Sequence, residues 1–283
     1  MKTIAKGPER DALVADLKTR AIRIRRRIVE MIAAAGSGHP GGSLSAVEIV
    51  TALYFAAMRH KPSDPFWADR DRFILSKGHG APVLYAALME AGYLDESLLP
   101  TFRKLGSPLQ GHPDRRFLPI LEASTGSLGQ GLSIGIGRAL AARLDKRDSR
   151  VYVLLGDGEC DEGQIWEAAM FAGNRGLDNL CAIVDYNRLQ LDGYVDDIQP
   201  LEPLAAKWAA FRWNVVEIDG HDFGQVLDAL ERAETAKGKP TCIVAKTVKG
   251  KGVSFMENVL KWHGVAPTAD EAKRALAEIG GAR

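Results

Sequence analysis

Five short apolar runs, separated by stretches long enough to form helices, constrain the fold of this chain more than any other feature. The runs are residues 72–75, 151–155, 180–185, 215–218 and 241–245. Apolar runs of this length between turn residues are typical of buried strands. Strands that alternate with helices form a parallel sheet covered on both faces. The pattern therefore predicts an α/β fold of three layers, with a mostly parallel sheet and helices on both faces.

Apolar residues at intervals of three or four predict the helices. The first runs from about Leu13 to a stop near Gly36, and others are predicted over 164–174, 224–237 and 268–283. A capping-box pattern, Ser45-x-x-Glu48, predicts one more helix reaching about Met58. No repeat, low-complexity segment or linker interrupts the chain, so we predict a single domain over residues 1–283, with a mobile loop at about 246–262.

The charge balance argues against two classes of partner. The 37 Lys and Arg and 36 Asp and Glu give a formal net charge of +1, which provides no electrostatic attraction for nucleic acid or an anionic membrane. The arginines at 23, 25, 26 and 27 lie within a helical pattern and are predicted to form a solvated helix face. The longest apolar stretch, 49–58, is too short to span a bilayer.

Cysteine use and the N-terminus predict the compartment. Cys160, Cys181 and Cys242 are far apart and do not have the spacing of a zinc site, which favours a reducing environment. The segment Met1 to Asp11 lacks the apolar core and cleavage site of a signal peptide. We therefore expect a cytoplasmic protein.

Polar motifs follow two of the predicted strands. Gly156-Asp157-Gly158 comes directly after one, and Asn187 follows the next, thirty positions after Asp157. Ligands of open α/β sheets bind beyond the carboxyl ends of the strands. A hard divalent cation prefers carboxylate and carbonyl oxygens, and glycines let the backbone approach a diphosphate. The sequence therefore predicts a metal–diphosphate site; the alternative is a tight turn beside an ordinary loop residue.

This arrangement resembles the thiamine-diphosphate enzymes, in which Gly-Asp-Gly is followed about thirty residues later by Asn. The resemblance implies thiamine diphosphate as cofactor, with Mg²⁺, or Ca²⁺ or Mn²⁺ in its place. By position, Asp157, Asn187 and the backbone carbonyl of Leu189 would hold the metal. Gly156, Gly158 and Asn187 would contact the cofactor.

Four of the six histidines lie in Gly- or Pro-rich loops. They are His39 in Ser-Gly-His-Pro-Gly, His79 in Lys-Gly-His-Gly, His112 in Gly-His-Pro-Asp and His263 in Trp-His-Gly. A single histidine of this kind is more often a surface residue, but four suggest a cluster that handles hydroxyls and developing charge. His60 and His221 lack this context and are predicted to be structural or exposed.

The loops resemble those of the transketolase family. Four family motifs occur in order, and they lie at residues 37–41, 111–113, 126–131 and 156–163. The resemblance extends from about residue 10 to about residue 270. It implies the thiamine-diphosphate-binding fold and the transfer of a two-carbon ketol unit from a ketose phosphate to an aldose.

The resemblance also implies a role for each loop histidine. His39, His112 and His263 would contact the hydroxyls and carbonyl oxygen of the substrate. His79 and His263 would contact the cofactor diphosphate. These side chains have a pKa suited to proton transfer near neutral pH.

Further roles implied by the resemblance concern the rest of the cofactor. Gly126, Ser127 and Leu128 would lie beside its rings. Glu162 would link the two cofactor sites of a dimer through buried water; the alternative is a helix N-terminal carboxylate favoured by the dipole. Lys246 opens a Lys- and Gly-rich segment that is either a solvated loop or a lid near the diphosphate, and it is a further candidate cofactor contact.

Fused transketolases are more than twice as long as this chain of 283 residues. Their second thiamine-fold domain carries the glutamate that acts on the aminopyrimidine ring and the arginines that bind the substrate phosphate. This chain therefore resembles the N-terminal subunit of a split, two-chain transketolase. We expect a partner subunit with the pyrimidine-binding and C-terminal domains, two copies of each chain, and no activity without the partner.

Three alternatives to a transketolase subunit remain open. Two are enzymes, a deoxyxylulose phosphate synthase and the thiamine subunit of a 2-oxo acid dehydrogenase. The third is an inactive thiamine-diphosphate-binding regulatory subunit. The sequence also leaves the sugar open: pentose phosphates are the default, and a branched or unusual ketose phosphate is the alternative.

Overall fold

A computed structural model describes residues 7–280 of the chain. The beginning of the N-terminal segment and the last three residues of the predicted C-terminal helix lie outside the described residues. The strands are β1 (Arg72–Leu75), β2 (Val151–Gly156), β3 (Leu180–Tyr186), β4 (Asn214–Asp219) and β5 (Thr241–Lys246). They form one sheet in the order β1-β2-β3-β5-β4, and every pair is parallel. The predicted α/β fold with a parallel sheet is confirmed.

The helices connect the strands and flank the sheet. Those before β2 are α1 (Pro8–Ala35), α2 (Pro40–Leu44), α3 (Val47–Ala52), α4 (Ala81–Glu90) and α5 (Gln130–Leu144). Those after β2 are α6 (Gly163–Asn174), α7 (Val195–Ile198), α8 (Leu204–Ala210), α9 (Phe223–Thr235) and α10 (Ala269–Gly280). Short 3₁₀ turns at 78–80, 96–101, 158–161 and 260–263 and a π-helical turn at 53–57 complete the described elements.

Successive strand residues point to opposite faces of the sheet and into two separate apolar cores. In β5, Ile243 belongs to the core shared with α1, α3, α4, α9 and α10, whereas Val244 belongs to the core shared with α5, α6 and α8. β2 and β3 are buried along their whole length. The helices thus form the two outer layers, and the sheet presents its carboxyl ends as the accessible edge.

The arginine cluster of α1 is not the solvated face that the sequence predicts. Arg25 is only 8% exposed, and its guanidinium binds the carboxylate of Glu48 on α3. Arg23 and Arg27 both pair with Glu90 at the end of α4. Because these carboxylates lie far along the chain, the sequence pattern of α1 alone does not reveal them.

The predicted capping box at Ser45 and Glu48 is wrong. Helix α3 begins at Val47 with Ala46 as its N-cap, and no side chain caps it. Ser45 instead donates a hydrogen bond to Asp185 at 2.6 Å, and Glu48 pairs with Arg25. Buried charges across the fold outcompete the local capping interaction.

Among residues 7–280, we find no helix with the length and apolar character needed to cross a bilayer.

Candidate active site

The carboxyl ends of β2, β3 and β5 bring the sequence motifs together. In the sheet register Gly156 pairs with Asp185, and Tyr186 pairs with Lys246. The Gly-Asp-Gly turn, Asn187 and the Lys- and Gly-rich segment after β5 therefore leave the sheet side by side. This edge is where ligands bind in parallel α/β folds.

A cavity with an empty volume of about 670 Å³, partly open to solvent, lies at this edge. Eight of the residues predicted from the sequence line it: His79, Leu128, Gly156, Asp157, Gly158, Asn187, Leu189 and His263. His39, His112, Gly126, Ser127, Glu162 and Lys246 do not belong to its lining. Two buried lysines that the sequence analysis did not select, Lys77 and Lys249, complete the cationic part of the wall.

The three predicted metal ligands lie in adjacent turns of this cavity. The carboxylate of Asp157 accepts hydrogen bonds from the backbone N–H groups of Gly158 and Arg188, which ties the two turns together. The amide oxygen of Asn187 accepts one from the N–H of Leu189 at 3.1 Å. Burial, and then the nearby carboxylate of Asp185, raise the pKa of Asp157 to about 7. A bound cation would stabilise the charged form of Asp157 and offset the cost of burying that charge, as expected of a metal ligand.

Asp185 is a fully buried carboxylate that organises the floor of the site. It pairs with the ammonium of Lys77 and accepts hydrogen bonds from Ser45, Thr247 and the amide of Asn187. Burial favours its neutral form, but Lys77 and these hydrogen bonds outweigh burial and lower its pKa. Because Asp185 is fully occupied, and Glu159 is held by Ser76, Gly129 and Gly156, Asp157 is the carboxylate left to bind a cation.

Lys249 lies inside the cavity, with only 2% of its surface exposed. Its ammonium donates to the carbonyl of Leu189 at 2.6 Å and lies 2.7 Å from Nδ1 of His263. Burial, and then the charge of Lys77, lower the pKa of Lys249 to about 8, so it remains largely charged at neutral pH. Lys246, the lysine selected from the sequence, is 62% exposed at its side chain and pairs with Glu217 on the surface.

The four loop histidines converge beside the cavity. The ring of His39 lies 5.4, 6.2 and 5.7 Å, centroid to centroid, from those of His79, His112 and His263. His79 and His263 stack at 5.4 Å. His79 and His263 line the cavity, whereas His112 is exposed and lies outside its lining. His60, by contrast, bonds Tyr93 and the carbonyl of Tyr54 away from the cluster.

The clustered histidines are held neutral. Burial, and then the charge of Arg103, lower the pKa of His39 to about 4, and burial followed by Lys249 lowers that of His263 to about 3. The pKa of His79 is lowered well below its ordinary value by burial and then by Lys77. Each ring therefore offers one N–H donor and one acceptor at neutral pH.

These lowered pKa values predict a pH dependence of stability in the cofactor-free, full-length chain. An unfolded histidine takes up its proton near pH 6.5, whereas folded His39 and His263 stay neutral until about pH 4 and 3. The unfolded chain thus binds more protons, and the contribution of these residues to the free energy of unfolding is lost as the pH falls from about 6.5. Asp157, with its raised pKa, acts in the opposite direction.

Urea unfolding at pH 7.5 and 5.5 measures this dependence. His263→Asn keeps an acceptor for Lys249 but cannot titrate, so its stability is expected to fall less between these pH values than that of the wild type. Because Asp157 is present in both proteins, its contribution cancels. Equal losses in the two proteins would contradict the assignment.

Arg103 is a site residue that the sequence analysis did not identify. It has a left-handed backbone conformation, with φ of 60°, and its guanidinium donates to Ser37 Oγ at 2.7 Å and lies 3.5 Å from Nδ1 of His39. A guanidinium can only donate, so His39 Nδ1 faces it as an acceptor and Nε2 carries the proton. Arg103 therefore orients His39 as an N–H donor.

Residues Gly126 to Leu128 form the ring strip, the segment predicted to lie beside the cofactor rings, and they pack closely against neighbouring residues. Gly126 has φ of +137°, and a Cβ there would lie 2.9 Å from the ring of His112, so glycine is required. Gly129 and Gly156 donate their N–H groups to the two carboxylate oxygens of Glu159 at 2.9 and 3.0 Å. Glu159, which is 2% exposed, thus joins the ring strip to the Gly-Asp-Gly turn.

Glu162 stands apart from the cavity. It is the N-cap residue of α6, it is exposed, and its side chain makes no capping hydrogen bond. Its link to a second cofactor site stays a prediction, because only a partner surface could bury it. Within residues 7–280, no group of three or more His, Cys, Asp or Glu side chains is arranged to hold a metal. A metal here therefore needs carbonyl and ligand oxygens in addition to Asp157.

The chemistry of the cavity fits a metal–diphosphate group. Its wall combines two buried ammonium groups, two neutral imidazoles and two carboxylates of raised pKa, Asp157 and Glu159, a set that favours an anion bound together with a cation. Glycine at 158 leaves space that a Cβ would fill, since that atom would lie 2.8 Å from the side chain of Gln190. The residues present are therefore compatible with thiamine diphosphate and a divalent cation.

Comparison with known proteins agrees with this chemistry. Residues 17–282 match the family model described as transketolase, thiamine diphosphate binding domain. The chain is 50% identical over 264 residues to the 6-deoxy-6-sulfo-D-fructose transketolase subunit of Clostridium sp. (strain MSTE9), covering 93% of this chain and 96% of that protein. It is 42% identical over 266 residues to one of the apulose-4-phosphate transketolase subunits of Phocaeicola vulgatus, with 94% of each covered.

Longer transketolases match over part of their length. Human transketolase is 42% identical over 273 residues, which are 96% of this chain and 43% of that protein. The crystal structure of transketolase from Campylobacter jejuni superposes with a TM-score of 0.89 at 35% identity, covering 93% of this chain and 42% of that one. The chain thus spans less than half the length of these longer relatives.

Proposed function

Because this chain belongs to the transketolase family, through its thiamine diphosphate binding domain, we propose that it is the cofactor-binding subunit of a two-chain transketolase. The reaction is the thiamine-diphosphate-dependent transfer of a two-carbon ketol unit from a ketose to an aldose. The observation that carries the proposal is the convergence of His39, His79, His112 and His263 beside the Asp157 turn. We treat residues 1–283 as one thiamine-diphosphate-binding domain.

We propose that different residues of the cavity bind the metal and the diphosphate of the cofactor. Asp157, Asn187 and the carbonyl of Leu189 would hold Mg²⁺, or Ca²⁺ or Mn²⁺, and the Gly156 and Gly158 turn would adjoin the diphosphate. The cavity wall supports this assignment, because burial raises the pKa of the Asp157 carboxyl to about 7 and the other lining carboxylate, Glu159, is held by Ser76, Gly129 and Gly156. When bound, thiamine diphosphate supplies the electron sink that lets the carbon–carbon bond of the donor break.

The cationic part of the wall would face the diphosphate. His79 and His263 lie in the lining, and the buried ammonium of Lys249 is better placed there than that of the exposed Lys246. The ring strip, Gly126 to Leu128, adjoins this wall through Leu128. We therefore propose Lys249 in the role for which the sequence suggested Lys246.

The substrate would be contacted by His39, His263 and His112. His39, oriented by Arg103, presents its Nε2–H, and His263, whose Nδ1 faces Lys249, presents Nε2–H in the same way. Neutral imidazoles of this kind can donate to a hydroxyl or carbonyl oxygen and accept a proton from it. His112 would contribute from the exposed side.

This arrangement predicts different defects for two histidine variants of the two-chain complex. His112→Ala should lower kcat by roughly 10²- to 10⁴-fold, the usual range for a lost acid–base group, and leave cofactor affinity nearly unchanged. His79→Ala should weaken cofactor binding by about 10- to 100-fold, because a hydrogen bond to a charged group is worth about 1.5–3 kcal/mol. Steady-state kinetics and calorimetry separate the two effects.

His60→Gln is the control for these variants, since His60 lies outside the cluster. It should change neither kcat nor cofactor affinity. If both alanine variants altered only the cofactor dissociation constant, the proposed division of labour would be incorrect.

We propose that the donor is a ketose with an anionic group at its far end. The two-chain relatives act, by name, on 6-deoxy-6-sulfo-D-fructose and apulose-4-phosphate, one a sulfonate and the other a phosphate. Pentose phosphates remain the default donors. Co-expression with the partner, followed by a screen of ketose phosphates and sulfosugars against a panel of aldoses, tests the proposal. Turnover of none of them by a cofactor-loaded complex would refute it.

Two observations support a second chain. Relatives covered over 94–96% of their length are named as subunits, which implies a second chain in those enzymes. The packed helices α5 and α6 carry exposed apolar side chains, namely Leu140, Leu144, Met170 and Phe171. We propose that the partner brings the pyrimidine-binding and C-terminal domains, that two copies of each chain assemble, and that Glu162 on α6 links the cofactor sites.

We also propose a cytoplasmic location. Cys160, Cys181 and Cys242 are buried and unpaired, as is usual for a protein kept in a reducing compartment.

A further inference from the structure

The turn at residues 248–251 determines where Lys249 can reach. This turn lies outside the sheet, yet it inserts the Lys249 side chain between the carbonyl of Leu189 and the ring of His263. A lysine side chain is flexible and strongly hydrated, so its burial at a defined position requires a firmly held backbone. The question is which residues hold the turn.

Three polar residues outside the cavity lining form a connected group behind this turn, of which Arg25 and Glu48 are buried and His221 is partly buried. Arg25 on α1 donates to both carboxylate oxygens of Glu48 on α3, at 2.6 and 2.8 Å. Nδ1 of His221, in the loop between β4 and α9, lies 2.9 Å from Glu48 Oε2. The backbone N–H of His221 in turn donates to Asp219 at 2.8 Å, which anchors the loop itself.

The hydrogen bonds of this group fix the protonation of His221. Val248 donates its backbone N–H to Nε2 of His221 at 2.8 Å, so Nε2 carries no proton. The proton is therefore on Nδ1, which donates to Glu48. The buried carboxylate of Glu48 thus keeps the proton of His221 on Nδ1, and this leaves Nε2 to accept the backbone N–H of Val248, the first residue of the turn.

The other end of the turn is held by the same group. Arg25 Nε donates to the carbonyl of Lys251 at 3.1 Å. Gly252, with φ of +94°, has no room for a side chain there, because a Cβ would lie 2.9 Å from Arg25 Nε. Between the two ends, Gly250 donates its N–H to the carbonyl of Gly41 at 3.0 Å. The turn is therefore fixed at 248 and 251 and joined to α2, whose N-cap residue is His39.

We propose that Arg25, Glu48 and His221 form a positioning triad that holds the 248–251 turn so that Lys249 is pre-placed for the cofactor diphosphate. The inference rests on the proposed function, since it assumes that the cavity binds the cofactor. A buried ion pair contributes little net stability compared with apolar residues, and its value here is the geometry that it imposes. The triad acts through Lys249 and touches neither substrate nor cofactor.

Two substitutions of His221 separate positioning from general structural support. His221→Gln places an amide oxygen where Nε2 was and can still accept from Val248. His221→Asn places an amide near Nδ1 and can still donate to Glu48, but offers nothing to Val248. Calorimetric titration of the two-chain complex with magnesium thiamine diphosphate should show a dissociation constant at least about 10-fold higher for His221→Asn and within about 3-fold of wild type for His221→Gln.

A double-mutant cycle with Lys249→Met tests that the triad acts through Lys249. In the Lys249→Met background, His221→Asn should change the dissociation constant by less than about 2-fold. An equal, additive loss in both backgrounds would overturn the inference, and so would unchanged affinity in His221→Asn accompanied only by a lower Tm.

Folding of each variant is checked by circular dichroism and its thermal transition. If His221→Asn does not fold, Arg25→Lys carries the same cycle, because it keeps a charge for Glu48 but places a methylene where Arg25 Nε donates to the carbonyl of Lys251. Failure of the wild-type complex to bind the cofactor would refute the proposed function; normal wild-type binding with insensitive triad variants would refute the triad alone.

Discussion

Replacing Asp157 with Ala is expected to abolish metal-dependent binding of thiamine diphosphate. Asp157 and Glu159 are the carboxylates of the cavity lining, and neither forms an ion pair within the described part of the chain; because Glu159 is held by Ser76, Gly129 and Gly156, Asp157 is the one available to a cation. Without it, the diphosphate charge and the metal would share only neutral oxygen ligands. The dissociation constant, measured by calorimetry with Mg²⁺ and the two-chain complex, should rise by at least about 100-fold, or roughly 2.7 kcal/mol.

Two further variants separate charge from structure. The N–H groups of Gly158 and Arg188 bind different oxygens of Asp157, so Asp157→Asn keeps an acceptor for one of them, lacks the charge, and should lose cofactor binding to a similar degree. Asp145→Ala, at the exposed end of α5, should bind as the wild type does. Removal of a buried acid of raised pKa should cost the cofactor-free protein little stability near neutral pH. Unchanged affinity in Asp157→Ala would rule out the metal assignment.

The purified chain alone is expected to show no ketol transfer above background. Among residues 7–280, the cavity lining contains no carboxylate in addition to Asp157 and Glu159, and Glu159 is held by two backbone N–H groups and Ser76. The proposed function therefore assigns the acid that acts on the aminopyrimidine ring to the partner. Addition of the partner, thiamine diphosphate and Mg²⁺ should restore turnover, and a titration should saturate at one partner per chain.

The matched control for this reconstitution is the Asp157→Ala chain mixed with the same partner, which should stay inactive. Its inactivity would show that the restored turnover uses the cavity of this chain. Light scattering should report two copies of each chain in the active complex. Ketol transfer by a clean preparation of the single chain would refute the two-chain proposal, whatever the cofactor measurements show.

The strands could be predicted from the sequence because their signal is local. All five predicted runs are strands in the structure, and the bounds differ by one residue at most at either end. A fully buried parallel strand needs an unbroken apolar run, which is visible without knowledge of its neighbours. The first helix is likewise recognisable from its period and from Gly36, which caps it in the left-handed conformation.

The lysine that enters the cavity, by contrast, could not be predicted from a local pattern in the sequence. Lys246 and Lys249 stand three positions apart in one basic segment; the sequence analysis selects Lys246, although no local pattern distinguishes it from Lys249. The difference arises because β5 continues through Lys246, which points its side chain to the surface, while the following turn directs Lys249 inward. The mobility predicted for this segment stays a prediction; the structure adds that Val253, Met256 and Trp262 within it are buried.

His221 and Arg25 illustrate the same limit. The first was predicted to be structural or exposed and the second to be solvated, because neither lies in a recognisable motif. Their partner Glu48 was assigned to a helix cap from its spacing to Ser45, and only the packing of α1 against α3 reveals the ion pair. Arg25 and Glu48 are 23 positions apart, and Glu48 and His221 are 173 positions apart. Neither contact leaves a pattern in the local sequence.

Glu159 has a consequence for ligand choice. Its two carboxylate oxygens hold Gly129 and Gly156 at a set separation, and one of these glycines follows the ring strip while the other precedes the Asp157 turn. The distance between the ring strip and the Asp157 turn is therefore set before any ligand binds. Neither segment can move away from the other without breaking a buried hydrogen bond. Under the proposed function, we expect the cavity to select ligands by length and to bind best those whose ring and anionic end match this fixed spacing.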